Sequence, residues 1–149
     1  MKEFRIIFIL SFIFAFSCYV SAQTTTKTVT QKTVINPAKS SPAYAEILLR
    51  KTELTAELEN LLLDYTEEFP KVKELRFTLG LIQKDMNKVL AVTDVSKLTL
   101  ALGKLIIRKV ELQVDVWSLK LQYSDEHPEI KRAKKKVEVY EQAIKEILP

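Results

Sequence analysis

The sequence predicts an all-α protein made of two tandem antiparallel helical hairpins that pack as a four-helix bundle. Residues 44–90 align with residues 102–148 at a constant offset of 58, with 11 identities over 47 positions. Four segments carry apolar residues at alternating steps of three and four, the spacing of one helix face. The chain has only 2 glycines and 5 prolines, which disfavours a protein of sheets and tight turns. A duplicated unit of this length indicates a repeated hairpin.

Residues 1–22 predict a signal peptide. Two basic residues precede an apolar run over 6–20, and Val20-Ser21-Ala22 offers the small residues that a signal peptidase reads, so we expect cleavage before Gln23. The run is shorter than the ~20 residues of a membrane span. A retained anchor is the alternative, and Cys18 lies in a poor lipoprotein context. We therefore expect a periplasmic or secreted protein.

Composition limits the function of the mature chain. Cleavage would remove Cys18, the only cysteine, so no disulfide, thiol nucleophile or cysteine metal site would remain. The net charge of the full chain is +4, which is too small to indicate nucleic-acid binding. Residues 23–42 are rich in Thr, Ser and Lys and poor in large apolar side chains, which predicts a flexible tether before a helical domain at 43–149.

The helical domain divides into hairpin one at 43–92 and hairpin two at 95–148. Each of the four segments has one apolar stripe of the kind that antiparallel coiled coils use. In chain order the stripes comprise Tyr44, Ile47, Lys51, Leu54, Leu58, Leu61 and Tyr65; Val72, Leu75, Leu79, Ile82, Met86 and Val89; Leu102, Leu105, Lys109, Leu112, Val116, Leu119 and Tyr123; and Ile130, Ala133, Val137, Tyr140, Ile144 and Ile147.

Each hairpin is expected to turn just before a proline. The residue before a proline avoids helical backbone angles, whereas Pro70 and Pro128 suit the first turn of a helix. The short turns then reverse the chain. Acidic residues at 67, 68, 125 and 126 precede the new helices, where the helix dipole favours negative charge. In the linker at 91–97, Thr93, Asp94 or Ser96 could cap the third helix.

The third helix has a second apolar row, formed by Val110, Val114, Trp117 and Leu121. A helix with two apolar rows contacts more than one neighbour. This row favours a compact bundle, or a dimer, over two independent hairpins.

The turn sequence starts at Tyr65 in the first copy and at Tyr123 in the second. Tyr123-Ser124-Asp125-Glu126-His127-Pro128-Glu129-Ile130-Lys131 resembles a motif in the periplasmic coiled coils of polysaccharide co-polymerases, which regulate chain length in bacterial polysaccharide export. Phe69 replaces the histidine in the first copy. The resemblance covers about nine residues per copy and implies a similar helical hairpin rather than the same activity.

His127, the only histidine, could bind a metal only with Asp125 and Glu126 as neighbouring ligands. Because Phe69 holds the equivalent position, we interpret His127 as a turn residue. We expect no metal site and no cofactor.

A run of basic residues on the fourth helix is the strongest charge feature. Lys131, Arg132, Lys134, Lys135 and Lys136 form this basic patch. It is either a solvated face balanced by nearby glutamates or a contact for an anionic membrane surface or acidic polysaccharide.

Two lysines and two glutamates are repeated in both copies. Lys51 and Lys109 lie on the apolar stripes, where they could set the register of the helices or extend to water. Glu53 and Glu111 could pair across helices.

The sequence contains no phosphate loop, no paired histidine and carboxylate, and no nucleophile with a base, so we expect no enzymatic activity and no catalytic residue. The first hypothesis is an exported helical protein that binds a protein partner or itself. The second is a peripheral protein that uses the basic patch on a membrane or polysaccharide. The third is a carrier of a small apolar ligand between the helices.

Overall fold

The computed structural model describes residues 36–148. Helices α1 (Pro42–Leu61), α2 (Pro70–Leu90), α3 (Leu100–Lys120) and α4 (Pro128–Ile147) are joined by short connections, and short 3-10 helices lie at Pro37–Ser40 and Val95–Lys97. The described part of the chain contains no strand, so the predicted all-α class is confirmed. The expected signal peptide and residues 23–35 of the expected tether lie outside the described residues.

The duplication is visible in the packing of the helices. α1 and α2 form one antiparallel hairpin, and α3 and α4 form the other. α1 and α3 run parallel: the Ala43 amide donates to the Leu98 carbonyl at 3.2 Å near their starts, and Arg50 lies 3.9 Å from Glu111 farther along. Both hairpin turns therefore lie at one end of the bundle, and the linker lies at the other.

Helix α3 is the central helix. It packs against α1, α2 and α4, whereas α4 packs almost entirely on α3. The first three helices consequently enclose most of the core, and α4 adds a second, thinner layer. This asymmetry follows from the two apolar rows of α3, because Val110 of the second row is buried with the core of α1 and α2.

The four predicted stripes are buried to different extents. α2 buries the most, with Val72, Leu75, Ile82, Met86 and Val89 each at most 4% exposed. From its stripe, α4 buries only Ile130 and Val137. Leu61 and Leu119, at the turn ends of α1 and α3, are half-buried, whereas Val72 and Ile130, at the turn ends of α2 and α4, are fully buried.

The predicted boundary at Ala43 is wrong, because residues 36–42 pack on the bundle instead of belonging to a tether. The Asn36 amide nitrogen donates to the Leu90 carbonyl at 2.9 Å, and Ala38 is fully buried. The buried Ser41 hydroxyl donates to the Ala38 carbonyl and accepts from the Tyr44 amide. Polar caps and one small residue anchor this segment, which an apolar pattern cannot reveal.

The residue that caps the third helix also differs from the predicted ones. Asp94 accepts from the Ser96 amide and so caps the short 3-10 helix. Thr99 caps α3, because its hydroxyl accepts from the Leu102 amide at 3.3 Å. Hairpin two therefore begins its helix at Leu100 rather than near 95, and the buried Leu98 anchors the linker.

Candidate functional site

The two hairpin turns have the same internal structure. The Tyr65 ring stacks on Phe69 with 4.1 Å between ring centroids and 15° between ring planes. The Tyr123 ring stacks on His127 at 4.2 Å and 21°. The position before each proline therefore holds a flat ring that the tyrosine covers. Phe and His satisfy this requirement equally, which explains why they exchange between the copies.

His127 has a second contact that belongs to the turn. Its Nδ1 atom accepts from the Glu129 amide at 3.3 Å, so the side chain caps the start of α4 beside Pro128. Within residues 36–148 no group of three potential metal ligands comes together. The stacking and the cap account for His127 as a turn residue.

The acidic residues of the turns pair with basic residues of the flanking helices. Glu67 pairs with Arg76 and Glu68 with Lys73 in the first turn. The hydrogen bond from Arg76 holds the pKa of Glu67 below its usual value, because it favours the charged carboxylate.

The second turn repeats this pattern with its own partners. Asp125 pairs with Lys120 and Lys134. Both ammonium groups lower the pKa of Asp125, and Lys120 has the larger effect. Glu126 pairs with Lys131. The charges around both turns are thus balanced within the chain.

Each turn leaves a leucine and a tyrosine exposed to solvent. Leu63 is 81% exposed and Leu121 is 68% exposed, and the two occupy equivalent positions of the repeat. Tyr65 and Tyr123 keep 46% and 43% of their surface exposed although their rings are stacked. We call these four residues the turn surface. Sequence reasoning assigned the tyrosines to the turns and Leu121 to the second apolar row of α3, but it assigned neither leucine to an exposed surface. The signal of the two leucines was their identity in both copies.

The basic patch is largely paired. Besides Lys131 and Lys134, whose partners lie in the turn, Arg132 pairs with Glu129 and Lys135 with Glu138. Only Lys136 of the patch makes no ion pair among the described residues. The interpretation as a solvated and balanced face accounts for these contacts.

The two stripe lysines differ in their surroundings. Lys51 is half-buried and donates to the Gln83 side chain at 2.7 Å. Lys109 is 6% exposed and pairs with Asp85, which is 4% exposed. Sequence reasoning missed Asp85, which interrupts an apolar helix face and has no acidic counterpart in the second copy.

The repeated glutamates lie on the surface of the bundle. Glu53 pairs with Arg50 of its own helix. Glu111 pairs with Arg108 of its own helix and approaches Arg50 of α1 at 3.9 Å. Of the two, Glu111 therefore makes the expected pairing across helices.

The second apolar row of α3 faces the same chain. Trp117 stacks on Phe77 of α2 with 5.2 Å between ring centroids and 20° between planes. This contact joins the two hairpins near their turns. The last residue of the row, Leu121, does not pack in the bundle and is part of the exposed turn surface.

None of the described helices is sufficiently long and apolar to span a bilayer. Comparisons with protein-family models, curated proteins and solved structures give no match to this chain.

Proposed function

We propose that this chain is an exported, non-enzymatic helical protein that binds a protein partner through its turn surface. The observation that carries the proposal is the exposure of Leu63 and Leu121 at equivalent positions of the two turns. Both side chains contribute little to the core, and their apolar area remains free for a partner. Burying such area yields roughly 25 cal/mol per Å².

Two of the four residues of the turn surface are tyrosines, a residue type that is enriched at interface centres. The stacking on Phe69 and His127 holds both tyrosine rings before binding. Binding then costs less side-chain entropy than it would for free rings.

Because the two hairpins are parallel, both turns lie at the same end of the helical bundle. Asn36 bonds to Leu90 at the opposite end, and α1 has 20 residues, which corresponds to about 30 Å. An N-terminal tether would therefore leave the bundle at the end away from the turn surface. A protein held by its N-terminus would present both turns outward.

The alternative partners, an anionic membrane surface and an acidic polysaccharide, have less support. Four of the five patch residues are paired within the chain. Contact with a polyanion would have to displace those carboxylates, and it would weaken as salt screens the charges. A partner bound by the turn surface should show little dependence on salt, because its contacts are apolar.

We test this proposal with a photo-crosslinking phenylalanine analogue placed at Tyr65, at Tyr123 and, as a control, at Val139, which is 59% exposed on α4. In cells that produce the protein, positions 65 and 123 should yield the same protein adduct, and position 139 should not. Crosslinking of the same partner in an extract at high salt should give a similar yield. Equal adducts from all three positions, or none from the turns, would contradict the proposal.

The matched variant pair uses leucines of similar exposure. Leu63→Gln combined with Leu121→Gln should reduce the adduct at least tenfold and leave the melting temperature within about 2 °C, because neither side chain packs in the core. Leu49→Gln, at a residue 57% exposed on α1, should leave the adduct unchanged. An adduct that survives the double variant would show that the turns are not the contact.

A further inference from the structure

A groove lies at the end of the bundle opposite the turn surface. The last turn of α2, the linker and the last turns of α4 surround about 600 Å³, and Lys109 of α3 contributes to its lining. The groove exists because α4 follows α3 and leaves α2. Its volume falls within the range of ~300–1,000 Å³ that is typical of small-molecule sites.

Lysines outnumber carboxylates in the lining of the groove. Its lining contains Lys88, Lys97, Lys109 and Lys145 but only two carboxylates, Asp94 and Glu141. The nearby Asp85 carboxylate is shared, because Lys88 and Lys109 both bond to it. Neither Lys97 nor Lys145 makes an ion pair among residues 36–148. Lys97 lies near Asp94, whose pKa is lowered mainly by the Ser96 hydroxyl and to a smaller extent by Lys97, so Lys145 is the less compensated of the two cations.

The rest of the lining is apolar. Val92 from the linker and Ile144 and Leu148 from the end of α4 are half-buried in the groove wall. A hydrocarbon chain against these side chains would bury apolar surface on both sides. Cations and an apolar wall in one groove match a molecule with an anionic head and one hydrocarbon chain.

We propose that this groove binds a single-chain carboxylate amphiphile of the fatty-acid class, with its head at Lys97 and Lys145 and its chain against Val92, Ile144 and Leu148. The segment at 23–35 of this chain is a poorer occupant. It carries two lysines and no carboxylate, and the cationic groove would repel it. The site is separate from the turn surface, so either proposal can fail alone.

The test measures binding of decanoate, below its micelle concentration, to the protein by titration calorimetry. Decanol and decyltrimethylammonium have the same chain with a neutral or a positive head. We expect decanoate to bind at 1:1 stoichiometry and the other two to bind at least tenfold more weakly. Equal binding of all three, no binding of decanoate, or displacement of decanoate by a synthetic peptide of residues 23–35 would overturn the proposal.

Variants separate the groove from general surface charge. Lys97→Glu combined with Lys145→Glu should lower the decanoate affinity at least tenfold while the helical circular-dichroism spectrum is retained, because Lys145 is exposed and Lys97 is half-buried. Lys84→Glu combined with Lys104→Glu is the control, since it makes the same change in net charge and both lysines are exposed outside the groove. Equal effects of the two changes would show nonspecific attraction, and an unchanged affinity in the groove variant would place the ligand elsewhere.

Discussion

Replacing Asp85 by alanine is expected to destabilise the bundle by about 3–5 kcal/mol, because the variant leaves the Lys109 ammonium buried without a counter-charge. Lys109 donates to Asp85 where both residues are at most 6% exposed. Domains of this size have a total stability of ~5–15 kcal/mol. Urea unfolding followed by circular dichroism should therefore show a large fall in the midpoint.

The control removes both charges together. Asp85→Leu with Lys109→Met should recover most of the lost stability, since an apolar pair of similar volume avoids the desolvation of two ions. Lys88→Ala removes the exposed partner of the same carboxylate and should cost less than ~1 kcal/mol. An Asp85→Ala variant within 1 kcal/mol of the wild type would show that water reaches Lys109.

Replacing Gly103 by leucine is expected to separate α1 from α3. A Cβ atom at Gly103 would lie 3.1 Å from both the Ala43 Cα and the Ala43 carbonyl oxygen, and 3.0 Å from the Glu46 Cβ. Backbone atoms cannot rotate away as a flexible side chain can. Overpacking of this kind typically costs ~1–3 kcal/mol, and the parallel contact between the hairpins should weaken, as judged by urea unfolding.

Gly80 provides the matched control for Gly103. It lies in the middle of α2, and a Cβ atom there would have no neighbour within 4 Å. Gly80→Leu should therefore stabilise the protein by roughly 0.5–1 kcal/mol, because glycine is a poor helix former. If the two variants change stability equally, the close approach of α1 to α3 is absent.

The parts of the fold that depend on apolar spacing were predictable from the sequence. The stripe of α2 is buried almost as predicted, and Pro70 and Pro128 begin helices as their backbone preference requires. The aromatic stacks were only implicit in the repeated turn sequence. They become evident once Phe69 and His127 are compared as flat rings rather than as an apolar and a polar residue.

Features that depend on polar contacts between distant segments were not predictable. Asn36 and Ser41 anchor a segment that composition assigns to a tether, because each needs a partner that only the fold supplies. Lys109 illustrates the same limit. In the first copy Lys51 bonds to Gln83, and the residue equivalent to Gln83 in the second copy is Glu141. Lys109, the equivalent of Lys51, nevertheless bonds to Asp85 of the first hairpin, since α3 packs against both hairpins.

The candidate surfaces show a similar division. The basic patch was the most prominent charge feature of the sequence. Its pairing was hard to predict, because some carboxylate partners lie up to nine residues away in sequence, as Asp125 does from Lys134. The turn leucines were marked only by their identity in both copies and, for Leu121, by its place at the end of the second apolar row of α3. Their exposure depends on the helix ending at Leu61 and Lys120, one or two residues before each leucine.

The central claim is that the two hairpins form one body whose turns act as a single surface. Spin labels at Leu63 and Leu121, measured by double electron–electron resonance, test it directly. Helices in contact have axes ~8–10 Å apart, so we expect one narrow distance distribution below roughly 25 Å. As a control, labels at Leu63 and Thr93 should lie farther apart, near the ~30 Å length of a 20-residue helix. A broad distribution between positions 63 and 121 that extends well beyond 30 Å would contradict the account, because independent hairpins on a linker would give that result.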